Sequence, residues 1–336
     1  MTGKTAHPTL ASADLDDISK LARNAWCAAL DDTAAELGYF EQLGRDHACA
    51  FIEGSDTLLV SFDNYEHSIK TSANGYPEAF NLALDNGWSH LSILAHNGPA
   101  AAKWFRSPAV YDYFDRLVDD GFFEEYDRVV FYGAGPNGYA ACAYSVTAPG
   151  ATVIALAPQA TLDSRLTSWD NRFPSTRRAD FTSRYGFAPH MIEGAQAALV
   201  LYDPYQTEDA MHAALFNAPH VTRRPVPHFG ADIETRLVDM DILEPLLVHA
   251  MEGTLTPAVL TRLLRARRHN MPYLRRLLRE VEAHGNPHRV VTLCRAVTAR
   301  VPTARRFRMA LKSAQRAIGA QSDKNAPKSA DQTENA

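Results

Sequence analysis

Residues 131–145 read FYGAGPNGYAACAYS. The apolar run Val129-Val130-Phe131-Tyr132 enters this stretch and an alanine-rich run leaves it. β-Branched and aromatic residues favour a strand, alanines favour a helix, and the three glycines between them mark a sharp turn. Glycine tolerates the positive φ and the close backbone approach that such a turn demands. A strand, a tight turn and a helix are expected here, and the rest of the chain decides what the turn is for.

Upstream, SHLSILA (89–95) has the run of a buried strand, and SPAVYDYFDRLVDDG (107–121) that of a helix stopped by a glycine. Further back, ACAFIEGSDTLLVSF predicts two strands around a Gly-Ser-Asp turn, which reads as a hairpin. Helical periodicity runs from Asp14 to about Leu43. Downstream, ATVIALAP and AALVLYDP (197–204) are strands, TEDAMHAALF is a helix, and HVTRRPVPH holds a final strand or two. Strands alternating with helices predict an α/β fold with a mainly parallel, doubly wound sheet covered on both faces. The aromatic run Trp104, Phe105, Tyr111, Tyr113 and Phe114 belongs to its core.

The pattern changes after residue 250. Thr256-Pro257 and Asn270-Met271-Pro272 open helices, Gly285 closes one, Pro287 opens a third, and Pro302 precedes a fourth. Residues 251–320 hold fifteen Arg and Lys against three Glu, a surplus of +12. The whole chain carries −5, so the remainder carries −17. This divides the chain into a body at 13–250, an arginine-rich all-helical segment at 251–318, and polar ends at 1–12 and 319–336 that read as disordered. The basic helices hold few aromatics for stacking on bases, so nucleic acid is a disfavoured partner. A solvated face, or docking on the acidic body, suits them better, and a surface for a protein partner is a further alternative.

Other classes fall away on composition. No run of about 18 apolar residues exists to span a membrane. The first residues carry no apolar leader core, which with unpaired cysteines points to the cytoplasm. Cys27, Cys49, Cys142 and Cys294 are scattered, with no spacing that holds a metal or a disulfide framework.

The turn itself has two readings. Gly133-x-Gly135-x-x-Gly138 matches the glycine fingerprint that cradles a dinucleotide, which would make the chain an NAD(P)- or other nucleotide-dependent oxidoreductase. That reading wants a ribose-binding carboxylate about 20 residues on, at the end of the next strand. The chain has Leu156-Ala157-Pro158-Gln159 there, and its first acid is Asp163, inside the loop.

The second reading covers more of the chain. Tyr132-Gly133-Ala134-Gly135-Pro136-Asn137-Gly138-Tyr139-Ala140-Ala141, the strand ending Ala157-Pro158-Gln159, Asp209-x-x-His212-Ala213 and Trp104-Phe105 resemble motifs of the α/β-hydrolase-like proteins associated with bacterial surface-polysaccharide loci. The likeness runs from about residue 48 to 247. It implies an α/β-hydrolase sheet in which the turn is the nucleophile elbow. Gly135 then stands where the nucleophile belongs, and Pro136 stands where a backbone N–H serves the oxyanion hole. The resemblance makes Asp203 or Asp209 the remnant acid and His228 the nearest histidine, although the family pattern puts that histidine slightly later. It implies a pseudoenzyme without serine-hydrolase activity. Gly133, Gly135, Asn137, Gly138 and Gln159, with His228 nearby, are the residues expected around a small or anionic ligand, and neither metal nor cofactor is expected.

Chains similar to this one often carry the label phosphoadenosine phosphosulfate reductase. That family binds its nucleotide with an S-G-G-x-D loop, and no Ser-Gly dipeptide occurs here. Its reducing cysteine lies in an E-C-G-x-x-H motif, whereas Cys294 lies in TLCRAVTAR. Each singled-out residue also has a plain structural reading. The glycines make a turn, Asp203-Pro204 forms a bend, and His212 and His228 are packed histidines.

Overall fold

A computed structural model describes residues 11–97, 100–176 and 179–325. The chain forms two compact units, Met1–Leu264 and Arg265–Ala336. The first carries strands β1 (Gly38–Leu43), β2 (His47–Ile52), β3 (Thr57–Asn64), β4 (Ser89–Ala95), β5 (Arg128–Ala134), β6 (Thr152–Leu156), β7 (Ala197–Tyr202) and β8 (Val221–Pro225). Its helices are α1 (Arg23–Leu37), α2 (Tyr65–Thr71), α3 (Glu78–Asn86), α4 (Pro108–Asp119), α5 (Pro136–Tyr144), α6 (Ser164–Thr167), α7 (Ala188–Met191), α8 (Thr207–Leu215), α9 (Ile233–Val238), α10 (Leu243–Met251) and α11 (Pro257–Leu263).

One eight-stranded sheet runs β1-β2-β4-β3-β5-β6-β7-β8. β1 and β2 are antiparallel, β2 is antiparallel to β4, and every later pairing is parallel. This is a mainly parallel sheet of α/β-hydrolase type, with the strand–turn–helix of 131–145 at its centre. One face buries Leu58, Val60, Phe62, Ile93 and Phe131 with the inward sides of α4 and α5. Trp104, Phe105, Tyr113 and Phe114 are buried in that layer, where Phe62 stacks 6.1 Å from Phe114 and meets Phe105 edge-on at 5.1 Å.

Two expectations are corrected at the start of the sheet. The helical run from Asp14 contains a helix that stops at Leu37, and Gly38 opens β1. A Cβ on Gly38 would lie 2.3 Å from the carbonyl oxygen of Phe51, so that close pairing requires glycine, and Tyr39 and Phe40 then suit a strand. The expected hairpin at 48–62 does not form either. β2 and β3 exist, but β4 lies between them. β4 is buried along its whole length and takes a neighbour on each side. The Gly54-Ser55-Asp56 stretch wraps its start instead. Ser89 Oγ accepts from Gly54 N–H at 2.9 Å and donates to the Ser55 carbonyl at 2.7 Å.

The second unit contains α12 (Met271–Ala283), α13 (Pro287–Arg300) and α14 (Arg305–Asn325). Asn270 and Asn286 cap α12 and α13 by accepting backbone N–H groups in the first turn. Phe307, Ala310, Leu278, Val290 and Cys294 are buried, while Arg275, Arg279, Arg295, Arg305 and Arg308 are exposed. Burial pushes the Cys294 thiol up to about 11, which leaves it unreactive. Of the ends read as disordered, residues 1–10 and 326–336 lie outside the described residues. Residues 319–325 continue α14, because one glycine costs a helix only about 1 kcal/mol. Ser12 is tied down through its Oγ, 2.8 Å from Asp85. No helix among the described residues is long and apolar enough to cross a membrane.

The crossing at Gly54 is open to test. Its Cβ would meet the Gly87 carbonyl oxygen and the Trp88 backbone at 2.7 Å. Gly54→Ala is expected to cost about 1–3 kcal/mol by denaturant unfolding, whereas Ser55→Ala next to it should stay within about 0.5 kcal/mol.

Candidate functional site

The three glycines of the turn do different work. A Cβ on Gly133 would sit 2.3 Å from the carbonyl oxygen of Asn137, and one on Gly138 would sit 3.0 Å from that of Gly133. These two let strand and helix backbones touch. Gly135 has φ +57° and ψ −122°, and its Cβ would meet nothing within 4 Å. Its glycine answers to backbone conformation alone, and the space over it is open. The turn is pinned by Gly135 N–H donating to the Leu156 carbonyl at 2.7 Å, while Tyr139 N–H bonds back to Gly135 at 3.0 Å. Pro136 follows as the first helical residue and offers no N–H.

Asn137 lies in the first turn of α5, and Gln159 follows the end of β6. Pro158 touches the first turn of α5, its Cβ 3.3 Å from where a Gly138 Cβ would lie. Both amides are buried, and neither Asn137 Oδ1 nor Gln159 Oε1 has a hydrogen-bond partner among the described residues. A buried amide oxygen without a partner is costly, by about 1–3 kcal/mol. An amide can present oxygen or nitrogen, so the pair suits either a donor or an acceptor on a ligand.

The candidate acids and histidines are spread over two arrangements. Asp203, buried at the end of β7, accepts backbone N–H groups from Tyr205 (3.0 Å), His228 (3.2 Å) and Gly230 (2.7 Å). It thereby holds the 226–230 loop to the edge of the sheet. His228 has φ +65°, and its ring stacks on Tyr205 at 4.4 Å. The structure thus brings Asp203 and His228 together. Asp209 lies elsewhere, 2.6 Å from Arg172, which also pairs with Asp170. His212 is fully buried beside them. Its Nδ1 accepts the Ala160 N–H, so Nε2 carries the proton it donates to Asp170 at 2.9 Å. Burial opposes charge on Asp170, but its bonds to His212 and Arg172 hold it well below the usual carboxylate range. Burial raises Asp209. This network locks α8 to the 169–172 loop. Among the described residues, no cluster of His, Cys, Asp and Glu is arranged to hold a metal.

Sequence reasoning missed a third arrangement, next to the turn. Asp63 is the penultimate residue of β3, the strand beside β5, and Asn64, its last, caps α2. His67 on α2 lies 2.6 Å from Glu234 on α9, and Tyr132, the residue before Gly133, donates its hydroxyl to the same carboxylate. Burial pushes Asp63 up from its ordinary 3.8 to about 7, helped by the charge of Glu234 and opposed by His67. Burial alone would lower His67, but its bond to Glu234 and the charges of Asp63, Glu234 and Asp232 raise it to about 9. Burial and Glu234 raise Tyr132 well above its ordinary value. The only sequence signal was a carboxylate closing the apolar run LLVSF, and the partner residue lies more than 160 positions away.

No protein-family model and no curated protein matches the sequence. Among solved structures, the thermophilic carboxylesterase EstE1, cloned from a metagenomic library, is 10% identical. It covers 70% of this chain and 98% of its own, with a TM-score of 0.44. The capsule O-acetyltransferase of Neisseria meningitidis serogroup A is 12% identical over 61% of this chain and 93% of its own, with a TM-score of 0.40. The glycosylation-associated protein complex Gap123 from Streptococcus agalactiae has a chain 14% identical over 64% of this one and 47% of its own, with a TM-score of 0.43.

Two measurements check this geometry. Gly133→Ala should cost about 3 kcal/mol, because its Cβ meets backbone. Gly135→Ala should cost about 1–2 kcal/mol, the price of positive φ alone. Equal losses would contradict this division of roles between the two glycines. The Asp63 cluster sets a pH slope. Asp63 is raised on folding, so its contribution is complete below about 3.8 and is lost as pH rises through about 7. The His67 contribution is complete below about 6.5 and is lost through about 9. Unfolding midpoints should therefore contain a component that falls from pH 5 to pH 9, and Asp63→Asn should remove its lower half. An unchanged slope in that variant would count against the cluster.

Proposed function

We propose that this chain is an α/β-hydrolase-like protein that binds a small polar ligand, anions included, above its central turn and does not hydrolyse esters by a serine-type mechanism. The observation that carries the reading is Gly135. The residue where the sheet hands over to the central helix has no side chain to attack a carbonyl, and the space beside it is open. The missing Pro136 N–H supports the same conclusion, since losing one oxyanion donor typically costs about 10²–10³ in rate. Asn137 and Gln159 support ligand binding, because a polar guest would satisfy both buried amides. The first turn of a helix also favours negative charge.

The nucleotide alternative has less behind it. Asp163, the first acid after β6, caps α6 and lies 2.6 Å from Arg165, so it is already engaged. Association with surface polysaccharide remains part of the proposal only through the sequence resemblance. The basic helices of the second unit would serve a protein partner.

Two assays test this reading. With p-nitrophenyl acetate, the protein should give no turnover above background, and turnover that vanished in Asp203→Ala would overturn the proposal. Thermal unfolding with phosphate, acetate, N-acetylglucosamine, NAD and ATP should show a shift for one of the non-nucleotide probes. A ligand at about 100 times its Kd adds about 2.7 kcal/mol, and Asn137→Ala with Gln159→Ala should abolish the shift. A shift confined to NAD or ATP would favour the nucleotide reading instead.

A further inference from the structure

At the opposite, N-terminal ends of β5–β8 lies a cleft of about 410 Å³. Its floor is one face of the sheet. Thr152 pairs with Ala197, Ile154 with Leu199, and Leu199 with Thr222, so these side chains share a face. Arg128 stands on that face too, two residues before Val130, the partner of Thr152. The roof is the connection from α10 to α11 together with Leu260.

The cleft exists because the floor is too small. Where a helix covers a sheet, large apolar side chains normally fill the gap. Here Thr152, Ala197 and Thr222 stand in those places. Ala197 and Thr222 are exposed and form a mouth, while Ile154, Leu199 and Leu260 are buried and form an apolar base.

Arg128 supplies the charge. It is half-buried, and its guanidinium lies against Gly253, where a Cβ would come within 2.5 Å of Nη2. Its backbone is paired with β3, but among the described residues its side chain makes no hydrogen bond or ion pair. Arg172 and Arg236, also partly buried, each hold a carboxylate. A guanidinium drawn half out of water over an apolar floor leaves its fork of donors unmatched.

We propose that this cleft is a second binding site, for a small carboxylate with a short apolar tail. The carboxylate accepts two parallel hydrogen bonds from Arg128, and the tail lies on Ile154, Leu199 and Leu260. The volume lies within the range of about 300–1,000 Å³ usual for small-molecule sites. The site shares no residue with the turn at Gly135, so neither reading depends on the other.

Isothermal titration of the full chain with hexanoate, hexyl phosphate and hexanol tests it. Hexanoate should bind saturably, and hexanol, with the same tail and no charge, should bind at least ten-fold more weakly. Arg128→Gln should weaken hexanoate at least ten-fold while Arg128→Lys retains part of the affinity. Ala197→Phe, at the exposed mouth, should block binding with Arg128 intact. Thermal melts verify that each variant is folded. Asn137→Ala should bind hexanoate like the wild type. No saturable binding at millimolar hexanoate, or binding unchanged by both Arg128→Gln and Ala197→Phe, would overturn the proposal. Hexyl phosphate binding more tightly than hexanoate would overturn the carboxylate assignment.

Discussion

Strand β5 can pass directly into α5 only because two backbones come into contact there. Gly133 and Gly138 remove the side chains that would hold them apart. Everything around the turn inherits that closeness. The Gly135 N–H reaches across to β6, and the space beyond Gly135 stays open. Tyr132, one residue earlier, is fixed firmly enough to hold Glu234 from a helix a hundred residues further on. A single methyl group at 133 would push on all of these at once.

Local pattern carried much of this fold in the sequence. SHLSILA, the strand at 197–202 and the helix beginning at Pro257 were legible because period, caps and glycines agreed with one another. The failures were matters of neighbourhood. Nothing in ACAFIEGSDTLLVSF says that a strand 30 residues later will slip between its halves. The turn residues suited a wrap around Ser89 as well as a hairpin. Likewise, the glycine spacing at 133–138 showed that backbone had to come close, but not which glycine faced open space. The Asp63, His67 and Glu234 grouping was hidden for the same reason, since only the closed sheet brings α2 and α9 together.

Charge is arranged locally as well as in bulk. Asp203 is directed at backbone N–H groups and Asp170 at His212 and Arg172, so each of these buried carboxylates fastens a loop to the sheet's rim. Asp63 differs, because burial and Glu234 work against its charge beside the central turn. Fastened loops and one group poised near neutrality occupy the same edge of the sheet. The opposite edge carries Arg128, a cation with no such counterpart among the described residues.

The late arrival of β4 bears on how the chain is made. During synthesis, β2 and β3 leave the ribosome with no hydrogen-bonding neighbour between them, and the strand that fits there follows only after α2 and α3. Until residue 95 has emerged, each keeps a bare edge, the kind of surface on which nascent chains stick to one another. The helices at 65–71 and 78–86 thus lengthen the stretch of chain over which those edges stay unpaired.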